Sequence, residues 1–171
     1  VYGKHIRLEC PKNSGSMYYN YKNFFPLILI AICDSNYSNR RCRVLCGKES
    51  DCNVLKTSTS GKKLYSVSVN FPPDQCLPGD DNGVPQPFIL DADEAFAALH
   101  KNLLRPFPGR TSNNNRRIFN YRLSRARQCI ECSFGILSQK WRVFQTSMSV
   151  DPNVAVKITK ACCVLHNVFP V

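Results

Sequence analysis

Two carboxylates in this chain stand where an acid can hold a hard cation or move a proton. Asp93 follows a strand-like apolar run, Phe88-Ile89-Leu90, and precedes a helical pattern. In α/β sheets the end of a strand is a usual place for functional groups. The competing reading of Asp93 is a plain cap on the following helix. Glu131 is the single acid between Lys101 and Phe144, a span with ten basic residues. It can neutralise Arg127, four residues earlier, as an ordinary helix-surface pair. Two details point beyond that. Glu131 follows Ile130, so it lies at the edge of its helix's apolar stripe. It also shares a face with Gly135, and glycine costs about 1 kcal/mol relative to alanine in a helix interior. A small residue beside an acid leaves room for a metal or a phosphate backbone, or for close helix packing.

The basic residues form a second candidate site. Arg116, Arg117, Arg122 and Arg125 are interleaved with Phe119 and Tyr121. Together with Arg127 they suit a surface that tracks phosphates, the alternative being a solvated helix face. Across the chain 23 Lys+Arg stand against 12 Asp+Glu, a formal charge of +11. That excess points to a polyanionic partner, nucleic acid before membrane.

Ten cysteines offer a third possibility. Cys129 and Cys132 have C-x-x-C spacing, and Cys162, Cys163 and His166 lie near the end. A zinc module is one reading of these. The first pair, however, falls inside a strong helical pattern, and Cys10, Cys33, Cys42, Cys46, Cys52 and Cys76 are irregularly spaced. With no secretory signal, the expectation is reduced, mostly buried thiols in a cytosolic or nuclear protein.

The elements that must position these groups are read from periodicity. His5 to Glu9 alternates with period two, a half-buried strand. Pro11 to Ser16 has turn chemistry, and Met17 to Asn23 is rich in tyrosine. The continuous run Leu27 to Cys33 predicts a strand covered on both faces. Arg43 to Cys46 predicts a third short strand. Asp51 to Leu55 opens a helix, and Tyr65 to Phe71 alternates weakly before a stretch rich in Pro, Gly and Asp. Glu94 to Leu104 reads as a helix with Phe96, Leu99 and Leu103 on one side. Phe119, Leu123, Ala126, Ile130, Phe134, Leu137, Trp141 and Phe144 recur at steps of three and four, the mark of a long amphipathic helix. Pro152 opens a last helix, with Val154, Ile158, Cys162 and Leu165 apolar. Strands, an irregular stretch, another strand and then helices predict an α/β fold with a mixed sheet.

At 171 residues the chain suits one domain with a sizeable core. Its 43% apolar and 11% aromatic content excludes a disordered tail. The longest apolar run, Phe24 to Cys33, is about ten residues and contains Pro26. A membrane-spanning helix needs about 20. The chain opens at Val1, directly on a strand-like run, and reads as truncated at its N-terminus.

Several segments carry a family resemblance. Gly3-Lys4-His5-Ile6, Asn13-Ser14-Gly15-Ser16 and Tyr18-Tyr19-Asn20-Tyr21-Lys22 come first. Ala92-Asp93-Glu94-Ala95-Phe96 and Leu104-Arg105-Pro106-Phe107-Pro108-Gly109 follow, then Phe119-Asn120-Tyr121-Arg122-Leu123-Ser124-Arg125-Ala126-Arg127. Glu131-Cys132-Ser133-Phe134-Gly135-Ile136-Leu137 and Val164-Leu165-His166-Asn167 complete the series. In this order they resemble the Harbinger transposase-derived nuclease domain. The resemblance implies a single domain over 1–171 with an RNase H-like fold, a mixed sheet flanked by helices. It also implies a DDE-type active site, in which three carboxylates hold Mg²⁺ or Mn²⁺ for cleavage or strand transfer at a DNA phosphodiester. Hard cations prefer oxygen ligands.

Carried over residue by residue, the second acid is Asp93 and the third is Glu131. The first should stand directly before Gly3, where this chain has Tyr2, a neutral phenol at pH 7 and a poor ligand for a hard cation. Asp51 closes Gly47-Lys48-Glu49-Ser50-Asp51, which looks like a family segment ending in an acid. It is read equally as an additional metal ligand or as a helix cap. DNA is the implied substrate, a separate DNA-binding protein an implied partner, and the nucleus the implied compartment. Two activities compete for such a chain. One is a metal-dependent endonuclease impaired by Tyr2; the other is a catalytically inactive DNA-binding protein.

Overall fold

The apolar run predicted as a doubly covered strand is the centre of the fold. In the computed structural model it forms β2 (Phe25–Cys33), flanked by β1 (Tyr2–Leu8) and β3 (Asn39–Cys46) in an antiparallel sheet of order β1-β2-β3. The structure describes residues 1–9, 25–46, 51–58, 61–63, 71–94, 96, 102–109 and 113–168. The side chains of residues 25, 26, 40, 46, 51 and 52 lie outside that description. So do the predicted turn and tyrosine-rich stretch of residues 10–24 and most of the weak alternation at 65–71.

Period two explains why β2 is apolar throughout. Leu27, Leu29 and Ala31 face one core cluster, with Ile6, Leu8 and Val44 of the neighbouring strands. Ile28 and Ile30 face a second cluster on the other side. Register runs from Tyr2 opposite Ala31 to Leu8 opposite Phe25, and from Leu27 opposite Cys46, with a shift between Ile32 and Cys33. β3 begins four residues before the predicted strand.

Helices cover both faces. α1 (Asp51–Thr57) puts Val54 and Leu55 into the second cluster, beside Ala92, Phe96 and Leu103. α2 (Asn114–Lys140) and α3 (Pro152–Val168) cover the first. Asn113 caps α2, its side chain accepting the N–H groups of Asn115 and Arg116 at 2.9 and 3.2 Å. The buried stripe of α2 is Leu123, Ile130, Ser133, Phe134 and Leu137. Trp141 is extended and ends the helix, and a 3-10 turn (Arg142–Phe144) carries the apolar period onward.

One expectation fails. Leu103 and Leu104 are not helical; they form β5 (Leu103–Leu104), parallel to β4 (Leu90–Asp91). The Leu90 N–H donates to the Asn102 carbonyl at 2.7 Å and the Ala92 N–H to the Leu104 carbonyl at 2.9 Å. Residues 97–101 of the predicted helix lie outside the described residues. On α3 the buried face is Ala155, Thr159, Cys162, Cys163 and His166, whereas Val154 and Leu165 are exposed.

A polar network explains why His166 belongs to the buried face. The Ser133 hydroxyl donates to the Tyr37 carbonyl at 2.9 Å, and His166 Nε2 lies 2.9 Å from the same oxygen. A carbonyl only accepts, so Nε2 carries the proton. The Asn167 amide completes the junction on the backbone of Asn39. Tyr37 sits at φ 60°, in the left-handed region, at the turn that presents this carbonyl.

Candidate active site

β4 and α2 bring the two predicted acids together. Leu90 and Ala92 pack into the second core cluster, so extended backbone turns Asp91 and Asp93 the other way, toward α2. Asp93 Oδ1 accepts the N–H of the next residue, Glu94, at 2.7 Å. The same oxygen lies 3.5 Å from Arg127 Nη1. Arg127 Nε lies 3.6 Å from Glu131 Oε1, one helical turn on. One guanidinium therefore stands between Asp93 and Glu131. The acids are open to solvent, with side chains 33% and 50% exposed, while Arg127 is only 18% exposed. The pairing foreseen for Glu131 and Arg127 is present, and it extends to Asp93.

Asp91 was not singled out from the sequence. Neither of its buried carboxylate oxygens has a hydrogen-bond partner among the described residues. Burial pushes its carboxyl up to about 6; the Val1 amino group and Arg127 oppose the rise, and Asp93 adds to it. The Val1 amino group also donates to the Asp91 carbonyl, which sets β4 beside the start of β1. The signal was the spacing Asp91-Ala92-Asp93, which places two acids on one face of any extended segment. Asp91 and Arg127 line one cavity of about 270 Å³ between β4, the end of β2 and α2.

The third position is different in kind. Tyr2 opens β1, and its ring lies 6.4 Å from that of Phe134, tilted 46°. It is packed against the first core cluster. Asp51 is the first residue of α1, and its side chain lies outside the described residues. Among the described residues no group of three or more His, Cys, Asp or Glu is placed to hold a metal ion. Asp93, Glu131 and Tyr2, with a guanidinium between the two acids, do not fit a site that three carboxylates would build. Gly135 is exposed, and a Cβ there would meet nothing within 4 Å. Close helix packing therefore does not account for it, and the face beside Glu131 is open.

The arginines divide into two groups. Arg116, Arg117, Arg122 and Arg125 are exposed on the N-terminal half of α2, where Leu123 is the one buried residue before Ile130. Arg127 is turned inward to the acids. A loop is fastened beside the exposed set. Asn120 Oδ1 accepts the Phe107 N–H at 2.9 Å and its Nδ2 donates to the Phe107 carbonyl at 3.1 Å. The Phe107 ring stacks edge-on against Phe119 at 5.3 Å, with the Arg116 guanidinium 4.9 Å above it. Two motifs that looked separate in sequence thus form one surface.

Among the described residues the cysteines build no metal centre. Cys33, Cys42, Cys76, Cys129, Cys132, Cys162 and Cys163 are free, and Cys162 and Cys163 alone among them are buried. The expectation of mostly buried thiols is not met among these: Cys42 and Cys132 are exposed. Ser133 and His166 are 3.4 Å apart, yet the histidine presents its N–H on that side and cannot take the serine proton. No helix among the described residues is long and apolar enough to cross a membrane.

Comparison with protein families matches residues 1–167 to the family described as DDE superfamily endonuclease. Neither curated proteins nor solved structures gave a match. With a match over nearly its whole length, and with two acids from a strand end and a later helix meeting on one guanidinium, the chain belongs to the DDE superfamily endonuclease family.

Proposed function

We propose that this chain is a transposase-derived nuclease domain of the Harbinger type, a single unit over 1–171 that acts on DNA in the nucleus. The observation that carries the reading is the convergence of Asp93 and Glu131 on Arg127. Two acids 38 residues apart in sequence share one solvent-open place, as DNA phosphodiester chemistry requires. An RNase H-like sheet is supported by the β1-β2-β3 meander and by the bond from Val1 to Asp91, which sets β4 beside the start of β1. The exposed arginines of α2 bind the phosphate backbone through charge.

Cleavage is impaired at the first acid. Tyr2 supplies a neutral phenol held against Phe134, so the site lacks one negative charge for the divalent cation the family generally uses. Calorimetry with Mn²⁺ on the chain, on Tyr2→Asp and on Asp93→Ala and Glu131→Ala tests this. Tyr2→Asp should bind more tightly and raise Mg²⁺-dependent cleavage of DNA, and both alanine variants should lose binding. Equal binding by all four proteins would refute the assignment of the acids.

A second reading, a DNA-binding protein without cleavage, is favoured by the exposed arginines of α2, Arg116, Arg117, Arg122 and Arg125. On that reading Asp93→Ala retains full DNA affinity, and Tyr2→Asp gains no cleavage.

A further inference from the structure

Phe107 is a large apolar ring held out in solvent. It is 40% exposed, yet Asn120 fastens its backbone through both the N–H and the carbonyl. Pro106 and Pro108 flank it and narrow the backbone angles open to the loop. Gly109, at φ 69°, turns the chain in the left-handed region that favours glycine. Phe119 meets the ring near edge-on, and the Arg116 guanidinium lies 4.9 Å from its centre. An exposed ring adds little to a core, so its fixed position points to something it meets outside the chain. The surroundings say what that is. From Asn102 to Ile130 the chain has no acid, while Arg105, Arg116 and Arg117 are exposed. Positive charge draws a polyanion. A flat ring beside a guanidinium suits a nucleotide, which offers a base face to the one and a phosphate to the other. In a duplex each base face is covered by its neighbours, so a side chain can stack only on a base that is unpaired or turned out.

We propose that Phe107 is a stacking platform for an unpaired base of a single DNA strand, with Arg116 beside it taking the phosphate of that nucleotide. The proposal rests on the reading of the chain as one that acts on DNA, and names the form of DNA gripped here. The loop is already ordered, so binding has less conformational freedom to remove. On α2, Asn120, Arg127 and Glu131 are seven and four residues apart, spacings that return to one face of the helix. The platform thus stands on the face that carries Glu131, three turns or roughly 16 Å along the axis from it.

The test is fluorescence anisotropy with three labelled probes: an oligothymidylate of about 16 nucleotides, an abasic strand of the same length, and a duplex of that length. Phe107→Ala should bind the oligothymidylate at least about fivefold more weakly than the parent, and Phe107→Trp at least as tightly as the parent. Both variants should bind the duplex as the parent does. The parent should hold the abasic strand no better than Phe107→Ala holds the oligothymidylate. If the parent binds DNA and Phe107→Ala weakens neither form, or weakens strand and duplex alike, the DNA reading stands and the platform falls. If the parent binds none of the three probes, both fall. Polyglutamate that competes as well as oligothymidylate at equal charge would assign the surface to any polyanion, and also overturns the proposal. Should Phe107→Ala not fold, Phe107→Leu carries the same expectation, because it keeps an apolar side chain against Phe119 without a ring face.

Discussion

The Asn167 amide pairs with both backbone groups of Asn39: its Nδ2 donates to the Asn39 carbonyl and its Oδ1 accepts the Asn39 N–H, each at 2.8 Å. The pair joins the last turns of α3 to the first residue of β3. Asn167→Ala leaves a part-buried donor and acceptor without partners, at about 1–3 kcal/mol each when fully desolvated. We expect a melting temperature several degrees lower, at about 2–4 °C per kcal/mol for a domain of this size. Asn167→Asp keeps the acceptor alone and should fall between. A melt unchanged by Asn167→Ala would show that the junction is held elsewhere.

Asn120 makes the same kind of two-way contact with Phe107, at an exposed site. Asn120→Ala should release the loop without unfolding the core. Hydrogen exchange at the Phe107 amide should then speed up at least about tenfold, with the Leu137 amide unaffected. Exchange that rises equally at both would mean that the loop and core open together.

The split among the arginines can be measured through salt. Each phosphate contact contributes about 0.9 to the slope of log affinity against log salt. Arg122 and Arg125 are exposed, so replacing both with alanine should flatten the slope by about 2. Arg127→Ala should leave the slope alone, because its charge is already held by Asp93 and Glu131. A slope that falls with Arg127→Ala would place Arg127 on the DNA.

Stability should depend on pH through Asp91. Burial, the largest cause, lifts its folded-state carboxyl to about 6, against about 3.9 in an unfolded chain. The folded state thus keeps a proton that the unfolded state has lost. The stabilisation from this group is complete below about pH 4 and is lost as pH rises through 6. Asp91→Asn removes that dependence, and its thermal advantage over the parent should grow from pH 5 to pH 7.5. An advantage independent of pH would assign it to packing.

Much of the scaffold was legible from residue pattern. β2 was read as covered on both faces because both of its faces are apolar, and α2 was read from its steps of three and four. What stayed hidden depends on contacts far apart in sequence. Leu103 and Leu104 sit in a helix-like run, and only pairing with β4 makes them a strand. The buried side of α3 is not legible from its apolar residues alone, because Thr159 and His166, polar residues satisfied by Ala155 and Tyr37, belong to it. Asp93 and Glu131 were found one at a time. Their meeting on Arg127 required the crossing of β4 with α2, which no local spacing encodes.

α2 is one unbroken helix from Asn114 to Lys140, and on the proposed reading it carries grip and chemistry on the same rigid rod. At 1.5 Å per residue, Arg122 lies about 14 Å along the axis from Glu131. That is the rise of about four base pairs of duplex DNA. The helix would therefore serve as a ruler, fixing how far from its first foothold the protein can reach the strand. No loop intervenes to lengthen that reach or to shorten it.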